Sequence, residues 1–185
     1  MAILKVARLG HPVLRQKANP VPHGQIHTKE FQQFLKDLIE TMYEHDGVGL
    51  AAPQVHHSIR VCSVELREEN QRYPDQVNSN LHIFINPEWS ALTQETNAYW
   101  EGCLSVPGLR GLVARPNKLK VKYLDKNAKT QELVAEGFFA TVLQHEFDHL
   151  DGTLYVDKLV DSTKLVFDQE FEKHILPQMQ QAKLE

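Results

Sequence analysis

A chain of 185 residues with 42% hydrophobic content is long and apolar enough for one domain around a substantial core. Its 24 acidic and 20 basic residues leave a formal charge of −4, which gives no general nucleic-acid footprint and no specific DNA partner. Two cysteines, Cys62 and Cys103, are too few for a disulfide scaffold and suit a reducing, cytoplasmic setting, while no run approaches about 18 apolar residues, so no membrane span is expected.

Pro12, Pro20, Pro22 and Gly24 punctuate the first 26 residues, which read as an irregular arm. From Thr28 onward Phe31, Phe34, Leu35, Leu38, Ile39 and Met42 recur at helical spacing. They predict an amphipathic helix over 28–44, with Thr28 as N-cap and Gly47 as its stop. "IRVCSVEL" (59–66) is a β-branched strand candidate, and the polar stretch 67–80 reads as a surface loop. "LHIFINPEW" predicts a strand stopped by Pro87, followed by a further strand in "SALTQETNAYW". Next, Leu119, Val121 and Tyr123 alternate with Lys118, Lys120 and Lys122, and "NAKTQELVAEG" supplies a turn and a partner strand.

Two helices close the chain. One covers 137–150; the second starts near Ser162, carries Leu165, Phe167, Phe171 and Ile175, and stops at Pro177, leaving 177–185 as a flexible tail. Strands in the middle and helices at both ends favour an α+β fold over an alternating parallel sheet.

The 137–150 helix contains "HEFDH", an H-E-x-x-H pattern at His145, Glu146 and His149. An i,i+4 spacing puts both imidazoles on one face, continuing the apolar stripe of Phe138 and Val142. Glu146 extends the adjacent stripe of Phe139, Leu143 and Leu150, while Thr141, Gln144 and Asp148 form the polar side. A glutamate in an inward stripe is costly to bury unless paired or used. Half-buried histidines bonded to backbone carbonyls are the bland alternative; the spacing and the internal glutamate together favour a metal site. Two imidazoles are an incomplete set, and the soft donor Cys103 in "WEGCLSVPG" is the candidate third ligand. Such a set leaves a fourth position for water, the arrangement of a catalytic rather than a closed structural metal. Cys62, inside an apolar strand, fits a small buried hydrophobe instead.

"DGVGLAAPQ" (46–54) leaves a backbone with little side-chain cover, a surface that an extended peptide or a ligand shell can approach closely. A tight helix-to-strand connection is the simpler reading of that segment alone. The lysine and hydroxyl residue of a phosphate loop are missing from it.

Taken together, "GVGLAAPQ", "EGCLS" and "HEFDHLDG" resemble the peptide deformylase family in order and spacing. The resemblance covers most of residues 1–175 and implies an α+β fold in which antiparallel sheets pack around the H-E-x-x-H helix, with an N-terminal and a C-terminal helix. It implies a single catalytic domain over 1–185 that removes the formyl group from N-terminal formylmethionine of newly made chains and releases formate. Cys103, His145 and His149 would hold one divalent metal ion, ferrous iron (Fe2+) by family habit, with zinc, nickel or cobalt as alternatives. Glu146 would be the general base and then the proton donor to the departing amine. Gln54, through its side-chain amide, and Leu104, through its backbone N–H, would donate to the oxygen of the attacked group. Val48 and Gly49 would border the peptide, and backbone groups near Gly49 and Gly102 would pair with it as an added strand. Phe138, Thr141 and Val142 would shape the methionine pocket, and Arg110 would meet the peptide further along. Glu101 and Arg115 would form a supporting ion pair. Nascent peptides would be the partners, with transient ribosome contact. The chain departs from the family in carrying His56 where a glycine often follows Gln54-Val55. H-E-x-x-H alone also fits other metallopeptidases, and a metal-stabilised peptide-binding module is the non-enzymatic alternative.

Overall fold

The computed structural model describes residues 2–67 and 79–181. Most of the predicted loop, 68–78, and residues 182–185 of the predicted tail lie outside them. After two short 3-10 turns, Pro12–Arg15 and His23–Gln25, the first helix, α1, runs Lys29–Glu44. Thr28 caps it by accepting the Phe31 N–H at 3.2 Å. Phe31, Leu35, Leu38 and Met42 form its buried face. Its end differs in detail from expectation. The left-handed residue is Asp46 (φ 50°), not Gly47. The Asp46 N–H donates to Tyr43 O and the Gly47 N–H to Met42 O, the crossed pair of bonds that closes a Schellman end. Aspartate tolerates that backbone region better than most side chains do.

Among the described residues eight strands follow: β1 Gly49–Ala51, β2 Val61–Val64, β3 His82–Ala91, β4 Thr96–Cys103, β5 Val106–Pro116, β6 Lys118–Leu124, β7 Thr130–Glu136 and, late in the chain, β8 Leu165–Phe167. They pair antiparallel throughout, as a five-stranded sheet in the order β1-β2-β3-β6-β7 and a three-stranded sheet β4-β5-β8. The alternation read from β6 holds: Leu119, Val121 and Tyr123 are buried, while Lys120 and Lys122 are exposed.

Pro87 does not stop β3. The register shifts between Ile85 and Glu88, Asn86 takes a positive φ of 50°, and the strand continues to Ala91. A bulge leaves residues outside the ladder, so proline's missing N–H costs nothing there. Asn86 uses the bulge to grip the N-terminal arm, accepting the Val21 N–H at 2.8 Å and donating to Val21 O at 2.9 Å.

The second helix, α2, spans Gly137–Leu150 and is central to the fold. Leu143, Phe147 and Leu150 pack with Phe84, Leu119 and Val121 of the five-stranded sheet. On its other side His145 and Asp148 reach residues of β4 and β5. The side read as polar is buried too: Thr141, Gln144 and Asp148 are 2%, 2% and 8% exposed. Their polar atoms find partners inside, Gln144 Nε2 donating to Pro116 O and Ala140 O at 3.0 Å each.

The end of the chain departs most from the sequence reading. Residues Ser162–Lys164 form a 3-10 turn, and Leu165–Phe167 join β5 as a strand instead of lying within a helix. Added there, they cover an otherwise open strand edge, a non-local gain that helical spacing cannot signal. Helix follows only from Asp168, through Asp168–Glu170, a π-helical turn Phe171–Ile175 and Leu176–Gln181. Pro177 lies inside this stretch. Its ring would strike the carbonyl of Lys173 in regular α-helix, and the wider π turn immediately before it relieves that clash. Among the described residues no helix is long and apolar enough to cross a membrane.

Candidate metal centre

One turn of α2 sets the rings of His145 and His149 5.0 Å apart. Cys103 reaches them from the end of β4, where the β4–β5 register shifts between Gly102 and Cys103 and the strand turns. Its Sγ lies 3.3 Å from His149 Nε2, and ligand atoms of Cys103, His145 and His149 all fall within 4.8 Å of one another. A thiolate and two imidazoles at that spacing fit a single divalent ion with room for a fourth ligand.

A buried chain of charges supports these donors. Glu101 accepts from His145 Nδ1 at 2.7 Å, so the ring turns its Nε2 towards the cluster. Arg115 grips the same carboxylate through two bonds of 2.6 and 2.9 Å, and continues to Asp148 at 2.7 Å. Asp148 ends the chain on Lys158 at 2.7 Å. Burial opposes ionisation of Glu101, yet the bonds from Arg115 and His145 hold its carboxyl below the usual range. Burial also works against charge on His145, but Cys103 and Glu101 prevail and hold its pKa well above the ordinary histidine value. At His149 burial prevails, helped by the charges of His145 and Arg115, and pushes the pKa well down.

Glu146 stands beside the cluster. Its Oε2 is buried with no hydrogen-bond partner among the described residues, and burial pushes its carboxyl up to about 7. Gly49 makes room for it, because a Cβ at that position would collide with the carboxylate. Gln54 is held from both ends. Its Oε1 accepts the Ala51 N–H at 2.8 Å, and its Nε2 donates to Ser105 Oγ at 3.2 Å while lying 3.4 Å from Cys103 Sγ. That pattern fixes the amide with its N–H groups towards the thiol. His56 occupies a left-handed position (φ 66°), where glycine would be unstrained, and sets its ring edge-on to His11 at 4.6 Å.

These groups share one cavity of about 980 Å³. Val48, Gly49, Gly102 and Arg110 line it, as do Phe138, Thr141 and Val142 on the α2 side. Gln54, Cys103, Leu104, His145 and Glu146 complete that wall, and His149 lies buried behind Cys103. Sequence reasoning missed part of the lining. The arm from Leu4 to Arg8 lines the cavity, tied down by Ala7 N–H to Gln54 O and Leu9 N–H to Ser105 O, both 2.7 Å. Nothing in its proline-broken pattern signals this. Asp148, Ser105 and Asp168 were missed as well. Glu101 was read as a partner of Arg115 and not of His145.

The description "Polypeptide deformylase" belongs to a family model that matches residues 3–165. A peptide deformylase of Leptospira biflexa serovar Patoc is 46% identical over 165 residues, covering 89% of this chain and 92% of that protein. Among solved structures, the Met-Ala-Ser-bound class I type b peptide deformylase of Acinetobacter baumannii superposes with a TM-score of 0.83 at 41% identity, over 85% of this chain and 99% of that one. The peptide deformylase of Thermotoga maritima gives 0.77 at 36% identity, over 87% and 100%. With most of the chain matched at such identity, and the Cys-His-His cluster in place, the chain belongs to the polypeptide deformylase family.

Proposed function

We propose that residues 1–185 act as one catalytic domain that hydrolyses the formamide of N-terminal formylmethionine on newly made polypeptides, releasing formate, and that the reaction runs at Cys103, His145 and His149. The observation that carries this reading is a buried Glu146, its Oε2 without a hydrogen-bond partner among the described residues, in the cavity that Cys103 and His145 line, with His149 clustered beside those two donors. When bound, a divalent ion supplies Lewis acidity that makes water nucleophilic near neutral pH and polarises the formyl oxygen. Ferrous iron is the proposed occupant, and zinc, nickel or cobalt suit the same donors.

Glu146 takes the proton from the attacking water and returns it to the departing amine nitrogen. Burial places its carboxyl near neutrality, where both transfers are accessible. Gln54 Nε2–H and the Leu104 backbone N–H donate to the oxygen on which charge develops; the double hold on the Gln54 amide sets its direction before substrate arrives. The peptide runs extended between Gly49 and Gly102, with Val48 beside it and Arg110 further along. Its methionine side chain enters between Phe138, Thr141 and Val142. The Met-Ala-Ser bound to the Acinetobacter relative is a peptide of this kind. A cytoplasmic location and transient contact with the ribosome, where nascent chains emerge, complete the reading.

Formate release from a formyl-methionyl peptide, set against its acetylated and free-amine counterparts after anaerobic purification, is the direct test. Cleavage of an internal peptide bond in place of the formamide would refute the assignment. Glu146→Gln keeps every proposed metal ligand, so metal content stays at the wild-type level while turnover falls by at least about a thousandfold. Undiminished turnover in that variant removes Glu146 from the mechanism.

A further inference from the structure

The C-terminal segment closes the cleft on a side that the three motifs leave open. β8 pairs with β5 in the register Leu109↔Phe167, Arg110↔Val166 and Gly111↔Leu165, so the next residue, Asp168, emerges beside Arg110. Its Oδ1 lies 2.7 Å from Arg110 Nε. The guanidinium carbon also stands 5.0 Å over the centroid of the Phe171 ring, which is held 5.2 Å from the ring of Trp100. Arg110 is thereby fixed on two sides, and both it and Asp168 line the cavity that contains Cys103 and Glu146. Arg110 sits directly across from Gly102, the neighbour of Cys103. Asp168 lies beyond residues 3–165, the stretch matched by the family model.

An arginine in a partly desolvated cleft selects strongly by charge, drawing in carboxylates and repelling ammonium groups. An extended peptide advances about 3.3 Å per residue, so the residues just after methionine pass this side chain. An enzyme for newly made chains in general meets every charge there. We infer that Asp168 is a specificity-determining residue: it neutralises Arg110, so that the cleft accepts peptides regardless of charge at their second to fourth residues. This rests on the deformylase reading above. Lys5, Arg8 and Asp46 also line the cavity and are common to wild type and variant.

The test compares wild type with Asp168→Asn on formyl-methionyl tetrapeptides carrying Asp or Lys at the second, third or fourth position. Formate release gives kcat and KM, and calorimetry gives binding of the corresponding deformylated peptides. Wild type should treat the two charges alike. Asp168→Asn should favour the Asp peptide about tenfold at one or more positions, through KM and through binding, and salt at about 1 M should erase most of the preference. Asp168→Glu retains the charge and should keep the wild-type ratio. An unchanged ratio in Asp168→Asn, or an equal loss with both peptides as a purely structural role predicts, overturns the inference. Failure of the wild type to deformylate even an uncharged formyl-methionyl peptide would strike the deformylase reading instead, with the ratio of binding constants still deciding the part played by Asp168.

Discussion

Gly49→Ala is a minimal change with a sharply located consequence. A Cβ built at Gly49 would meet the carboxylate of Glu146, lying 2.7 Å from Cδ and 2.8 Å from Cγ. Because the stem is struck as well as the tip, a small rotation of the carboxylate cannot relieve the clash. Either the Glu146 side chain leaves its position or β1 moves away from α2. Gly49 is not among the left-handed glycines, so alanine imposes no backbone strain, and replacing a strand glycine by alanine gains up to about 1 kcal/mol. Stability should therefore change little. The catalytic cost should be large: a displacement of about 1 Å at a reacting group lowers the rate roughly a hundredfold, or about 2.7 kcal/mol of activation free energy. The assay is steady-state formate release, read beside thermal unfolding and metal content. A variant with normal fold and metal and with wild-type kcat/KM would show that the position of Glu146 does not matter to the rate, and the base assignment would fall with it.

Glu101→Gln removes the carboxylate that orients His145 and leaves Arg115 with one fewer buried partner. Metal affinity should drop about 10- to 100-fold in competition with a chelator, and unfolding free energy should fall by about 3–5 kcal/mol in denaturant titrations. A pH dependence follows from His82, which stacks on Phe84, packs at a tilt against Phe139, and whose pKa burial pushes below 6.5. The unfolded chain therefore binds a proton more readily than the folded one. The stability this neutral ring contributes is complete above about pH 6.5 and is lost as pH falls through the lower folded value. His82→Leu should flatten that limb relative to wild type in chemical denaturation between about pH 5 and 7.5. An identical slope in both proteins would refute the assignment to His82.

The helices and strands were legible where one face of an element repeats. The α1 stripe and its Thr28 cap, the alternation of β6, and the paired histidines of α2 are local patterns that a chain carries wherever it folds. Reading failed where a distant segment changed the meaning of a local signal. Pro87 looked like a stop because a ladder usually needs its N–H, but the bulge at Asn86 puts it where none is required. Leu165 and Phe167 looked helical from spacing to Phe171, yet the edge of β5 takes them as a strand. Asp148 belonged to a polar stripe until Arg115 and Lys158 arrived to bury it.

By itself, then, the sequence determined that His145, Glu146 and His149 occupy one turn of a mostly apolar helix, because helical periodicity assigns residues to faces without reference to anything else. Whether a thiol from 46 positions earlier would come within 3.3 Å of His149 was decided by the pairing of β4 with β5 and by the packing of both against α2. The same holds for Glu101 behind His145, for the N-terminal arm lining the cleft and for Asp168 beside Arg110. Periodicity records which side chains share a face; which faces meet is settled by long-range burial and charge pairing, to which no single segment holds the answer.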